Sequence, residues 1–269
     1  MTVGQHDERH IALRVDPRLD DIRDLNRSDA PGRRLVIAEG PLVVGRLLES
    51  RFPVRSIVGF APRLDALSAP ADIPCHEVTR ETLAEVAGFD MHRGLLAVAD
   101  RAPEPPLEEI LATARTIVVL EGVGDHENIG SMFRNAAGMG VDAILFGNGC
   151  ADPLYRRVVR VSMGHVLRLP YAHLEGTYTT WQRSLQLLAD AGFHTVSLTP
   201  DPEATHLADA LAGKEKVALL VGAEGPGLTE HAMRATDVRA RIPMAPGTDS
   251  LNLATAAAIA FYERERSLR

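Results

Sequence analysis

Three small groups of polar residues sit inside otherwise apolar stretches of this sequence, and each has the composition of a working site. In Glu121-Gly-Val-Gly-Asp-His-Glu-Asn-Ile-Gly-Ser-Met-Phe-Arg-Asn135, Asn128 and Arg134 stand six residues apart. An amide can orient a partner through both a donor and an acceptor. A guanidinium holds its proton too tightly for base chemistry but offers a rigid, permanently charged fork to an anionic oxygen. In Val221-Gly-Ala-Glu-Gly-Pro-Gly-Leu228 a single acid, Glu224, lies among three glycines and a proline. In Thr248-Asp-Ser-Leu-Asn-Leu253, Ser250 and Asn252 precede an alanine-rich segment.

These groups need elements to position them. Asn128 and Arg134 lie about 600° apart around a helix, so they share no face. Both can still point to one sheet edge if Asn128 belongs to the loop before the helix. The Gly222–Leu228 loop follows the apolar run Val217–Val221, and ligands of open parallel sheets bind beyond the carboxyl ends of strands. Glycines there let a ligand approach the backbone closely. No lysine or arginine lies in the loop, which disfavours a polyphosphate and suits a neutral or cationic ligand read by backbone groups. No Gly-x-x-x-x-Gly-Lys-Ser/Thr pattern occurs, and Gly122-Val-Gly124 does not extend to a dinucleotide fingerprint because Glu127 stands at its sixth position. Asp249 or Ser250 is the expected N-cap of a last helix over about 250–266.

Short apolar runs at Thr116–Leu120, Ala143–Phe146, Phe193–Leu198 and Val217–Val221 read as parallel strands buried on both faces. Helical stretches fall between them at about 129–139, 177–191 and 205–212. An earlier α/β alternation carries strands at Leu35–Ala38, Val54–Phe60 and Gly94–Ala99, with helices at Pro41–Glu49 and Arg80–Ala87. Residues 1 to about 30 form a polar lead with turn signals at Asp16-Pro17 and Ala30-Pro31-Gly32. The proline-rich Arg101-Ala-Pro-Glu-Pro-Pro106 is the natural linker. The expected organisation is an N-terminal α/β domain over 1–100, a linker over 101–107 and a second α/β domain over 108–269.

With a net charge of −7, the chain is not one that coats nucleic acid indiscriminately, although local basic surface remains open. The most basic stretch is Tyr155–Arg168. Its Arg156, Arg157, Arg160 and Arg168 are candidate phosphate contacts, and a solvated helix face is the competing reading. All cations except Lys214 and Lys216 are arginines. Cys75 and Cys150 show no disulfide or zinc spacing, and no metal site is expected. The charged N-terminus does not read as a signal peptide, and no apolar run is long enough to span a bilayer. The expected location is cytoplasmic.

Taken in order, Asn128-Ile-Gly-Ser-Met-Phe-Arg134, Gly222-Ala-Glu-Gly-Pro-Gly-Leu228, and Ile242-Pro-Met ahead of Ser250-Leu-Asn252 resemble the signature of SpoU-type RNA ribose methyltransferases of the SPOUT superfamily. The resemblance covers about residues 117–265. It implies an α/β fold with a parallel sheet and a deep trefoil knot, preceded by a smaller RNA-capturing domain. It implies S-adenosylmethionine held against Gly222, Ile242, Met244 and Leu251, with Leu198 and Thr199 near its adenosine. It assigns catalytic roles to Arg134, Asn128, Glu224, Ser250 and Asn252. It also implies a homodimer acting on RNA, with ribosomal RNA preferred and transfer RNA the alternative. A non-catalytic RNA-binding protein that keeps the fold is the rival from another class.

Overall fold

The computed structural model describes residues 10–11, 15–25, 34–245, 247–248 and 250–269. The expected turn at Ala30-Pro31-Gly32 and the candidate cap Asp249 lie outside them. The described residues fall into two compact units. One holds the residues up to Pro103 together with Leu154–Arg168, and the other holds Glu104–Pro153 and Leu169–Arg269. The first boundary lies inside the expected linker. The return of residues 154–168 to the first unit departs from the contiguous division expected from composition.

The first unit is built on a five-stranded mixed sheet ordered β1-β4-β3-β5-β2. Its strands are β1 (His10–Ile11), β2 (Leu35–Glu39), β3 (Val54–Gly59), β4 (Cys75–Val78) and β5 (Leu95–Asp100). Helices α1 (Pro41–Leu48), α2 (Ala61–Asp65) and α3 (Arg80–Ala87) connect them. Thr79 caps α3 by accepting from the Thr82 amide, and Gly88 closes it in the left-handed region. Ile37, Val58, Leu83, Val86, Leu96 and Val98 form part of its core.

The second unit carries a seven-stranded parallel sheet ordered β10-β12-β9-β11-β6-β7-β8. Chain order begins with α4 (Leu107–Thr113), β6 (Thr116–Glu121), α5 (His126–Gly138) and β7 (Ala143–Phe146). The short helix α6 (Arg156–Val161) belongs to the first unit, after which come β8 (Tyr171–His173), α7 (Leu185–Asp190) and β9 (His194–Leu198). The remainder is β10 (Thr205–His206), α8 (Leu207–Leu211), β11 (Val217–Gly222), α9 (Glu230–Arg234), β12 (Val238–Arg241) and α10 (Leu253–Ser267).

Every residue of β6 is buried, as the uninterrupted apolar run Thr116–Leu120 requires. From β6 the chain steps to β7 and β8 on one side, while β11 and β9 lie on the other. Parallel pairing aligns Gly222 with Glu121, and Ala240 with Leu198, so these strands deliver their carboxyl ends to a common edge. A change in direction of this kind is where open sheets form ligand crevices. Helix α10 packs along α5, and the buried Arg264 ties its far end to the sheet. That guanidinium donates to Thr116 Oγ1 at 3.1 Å and to the Lys214 and Glu215 carbonyls at 2.6 Å each.

Candidate active site

At the carboxyl edge of the parallel sheet, the loops after β9, β11 and β12 enclose a cavity of about 390 Å³. Leu198, Thr199, Gly222, Ile242, Met244 and Leu251, all assigned to the methyl donor from the sequence, line it together. Glu224, Ser250 and Asn252 line it as well. The sequence reading omitted Pro200, Val221, Gly225, Leu253 and Ala256. Their places beside named residues at strand ends and on the first turns of α10 are the signal that would have found them.

The β11 loop has its shape because Gly222 has no side chain. A Cβ there would lie 2.2 Å from the Gly227 carbonyl carbon and 2.2 Å from the Leu228 nitrogen. Gly227 adopts φ +70°, returning the chain so that its amide donates to the Ala223 carbonyl at 2.9 Å. Glu224 is exposed at the tip of this loop.

Three of the catalytic candidates form one hydrogen-bonded group. Asn252 Nδ2 donates to Glu224 Oε1 at 2.7 Å and to Asn128 Oδ1 at 3.2 Å. The same residue caps α10, its Oδ1 accepting from the Thr255 amide at 3.2 Å. Ser250 therefore does not cap the last helix, which starts at Leu253 with Asn252 as its cap. Asn128 is 6% exposed and lies inside the first turn of α5 rather than in the preceding loop. Asp125 is the cap, accepting from the Glu127 amide at 2.9 Å.

Arg134 is exposed on α5 and makes no ion pair or hydrogen bond among the described residues. The neighbouring Asn135 reaches the Ala254 carbonyl at 3.1 Å, joining α5 to the opening turn of α10. Cys150, at 3.4 Å from the Leu120 carbonyl, is pushed by burial up to about 11, which keeps its thiol protonated.

The basic stretch requires a correction. In α6 only part of the arginine set faces outward. Arg156 is drawn inward within the first unit, where it pairs with the buried Glu39 at 2.9 Å and lies over the Phe89 ring. A carboxylate at the end of β2 requires that charge, so Arg156 is a structural ion pair and not a free phosphate contact. Arg157 is exposed, Arg160 is half-buried, and Arg168 is exposed at 3.8 Å from Glu49.

Comparisons with known proteins identify the family. The model of the SpoU rRNA Methylase family matches residues 115–262. A Mycobacterium tuberculosis protein described as an uncharacterized tRNA/rRNA methyltransferase is 55% identical over 94% of this chain and 90% of its own length. The 23S rRNA (guanosine-2'-O-)-methyltransferase RlmB of Vibrio parahaemolyticus is 31% identical over 72% of this chain and 78% of its own. The AdoMet-bound rRNA methyltransferase from Sinorhizobium meliloti superposes with a TM-score of 0.81 at 26% identity, covering 97% of this chain and 98% of that one.

Among the described residues, no lysine or arginine lines the cavity, while leucine, isoleucine and methionine side chains do. An adenine ring and a cationic sulfonium suit such a lining, and its volume is that of an ordinary cofactor site. The chain belongs to the SpoU rRNA methylase family and is an S-adenosylmethionine-dependent RNA methyltransferase of the SPOUT superfamily.

Proposed function

We propose that the protein methylates a ribose 2'-hydroxyl of ribosomal RNA. The observation that carries this reading is the convergence of all three motif segments, with Asn128, Glu224 and Asn252 hydrogen-bonded together, at one cavity. The similarity to the Vibrio parahaemolyticus 23S enzyme supports the choice of RNA.

In this reading Leu198, Thr199, Gly222, Ile242, Met244 and Leu251 hold the methyl donor. S-adenosylmethionine, when bound, supplies an already activated methyl group. The protein's task is then to orient the 2'-oxygen and to favour the negative charge that develops on it. Arg134 supplies that charge stabilisation and grips an adjoining phosphate, a role for its fork rather than for its basicity. Asn252 fixes the Glu224 carboxylate at the rim, while Asn128 braces Asn252 from beneath. Ser250 adds a polar wall.

Further parts of the reading follow from the family. The segments that follow β11 and β12 form the trefoil knot, and the unit containing β1 to β5 captures RNA. Arg157, Arg160 and Arg168 are its phosphate contacts. The active form is a homodimer, for which exposed Ile259 and Tyr262 on α10 offer apolar surface. No helix among the described residues is long and apolar enough to cross a membrane.

Mapping 2'-O-methyl positions in total RNA from cells with and without the gene tests the function. Loss of one ribosomal RNA site is the expected result. Loss confined to transfer RNA would move the substrate to the alternative class, and an unchanged map would support the non-catalytic rival. Sedimentation of the purified protein tests the dimer, and a monomer at micromolar concentration would overturn it.

A further inference from the structure

The cavity wall formed by the β11 loop does not stand alone. Immediately behind it lies a carboxylate that the mechanism leaves unused. Glu121, the last residue of β6, is 3% exposed, and its carboxylate faces four hydrogen-bond donors. Its Oε2 accepts from the Thr229 amide at 2.7 Å. Its Oε1 accepts from the Thr229 hydroxyl at 2.9 Å, the Trp181 indole at 2.9 Å and the Gln182 amide at 3.4 Å. Thr229 directly follows the loop Gly222–Leu228, and Gly222 itself pairs in register with Glu121. The loop is thus anchored to Glu121 at both ends, once by strand pairing and once by side-chain hydrogen bonds. Trp181, fully buried, is the chain's single tryptophan and closes the other side of the carboxylate.

A buried carboxylate is costly unless its lone pairs are satisfied, and an acceptor-only group facing several donors tolerates little displacement. Beyond this grip the loop is held by the Gly227 amide on the Ala223 carbonyl and by Asn252 on Glu224. It contains three glycines, and Glu224, Gly225, Pro226 and Gly227 are all exposed. We infer that Glu121 is a positioning residue of the donor site, clamping the β11 loop through Thr229 so that the loop is preorganised before the donor arrives. Its effect falls on donor affinity, because preorganisation removes an ordering cost from binding. The same carboxylate links the loop to Trp181, so the indole reports donor binding by its fluorescence.

This inference rests on the reading of the cavity as the donor seat, and the experiment separates the two. S-adenosylmethionine affinity is measured by calorimetry and by fluorescence titration on the full chain, with methyl transfer to RNA measured in parallel. Glu121→Gln places an NH2 group against at least one of the four donors. It is expected to raise the donor Kd about 10-fold while kcat at saturating donor stays within about 3-fold. A fluorescence change on donor addition is expected in the parent protein, and a smaller one in the variant.

If Glu121→Gln fails to fold, Thr229→Val and Thr229→Ser decide. The valine removes the hydroxyl donor and raises the donor Kd, while the serine keeps the donor and restores it. An unchanged Kd in Thr229→Val overturns the inference. So does a fall in kcat at saturating donor with Kd preserved, since that would make Glu121 part of the chemistry. Leu251→Asp tests the seat itself. Normal donor binding in that variant removes the seat, whereas weakened binding there beside an unaffected Thr229→Val removes only the clamp.

Discussion

Asn252 shows how one amide can serve folding and function together. Its oxygen caps α10, while its nitrogen bridges Glu224 and Asn128. The two duties can be separated because Asp keeps the oxygen and loses the donor. Asn252→Asp should leave stability within about 0.5 kcal/mol, since aspartate caps as well as asparagine. Methyl transfer should fall about 10-fold or more, because the bridge is lost and a second acid faces Glu224. Thermal unfolding and initial rates check both halves, and equal losses would tie the effect to the helix instead. Arg134 makes the opposite case, having no hydrogen-bond or ion-pair partner among the described residues. Arg134→Lys should therefore fold normally and bind S-adenosylmethionine normally. Turnover should drop about 100-fold if a planar fork must meet developing charge and phosphate together. Near-normal turnover would sink that role.

At the level of elements, α6 assigns different outcomes to adjacent arginines. Arg156→Glu sets two carboxylates against each other beside β2, and destabilisation of about 3 kcal/mol is expected, because removing one partner strands a buried charge. Arg157→Glu should weaken RNA binding and lower its salt slope by about 1. Donor affinity should stay constant in the Arg157 variant, and a matching loss of donor binding would point to damaged folding. The inward turn of Arg156 could not be read from the sequence, because spacing within a short helix does not reveal a carboxylate more than a hundred residues away. The buried strands were legible, since β6, β7 and β11 are largely apolar runs, and β9, which mixes His194, Thr195 and Ser197 with Val196 and Leu198, is buried over its three central residues. Strands β4, β8 and β12 were not, being short and rich in polar or charged residues. The start of α10 was misplaced for a related reason. Ser250 and Asn252 are both good caps, and only the contacts of Asn252 across the cavity choose between them.

Across the whole molecule, the chain is divided less simply than its proline-rich segment suggests. The first boundary, after Pro103, falls within Arg101–Pro106. The second crossing, at 154–168, depends on long-range contacts that no local pattern encodes. Arg156 binds Glu39, Arg46 donates to the Met163 carbonyl at 2.6 Å, and Gly164 lies against Val43. A protein shortened to begin at Glu104 would retain the entire seven-stranded sheet yet strip residues 154–168 of the β2 and α1 surfaces on which they pack. Because marginal domains tolerate the loss of only a few kcal/mol, the shortened chain should melt earlier than the full one. It should also bind a hydrophobic dye that the full chain does not, as expected when packed apolar surface becomes exposed. The measurement is a pair of melts with dye binding, made alongside S-adenosylmethionine titration. Equal melting temperatures and no dye uptake would show that the 154–168 segment folds without its partners. The two units would then be separable at the linker after all.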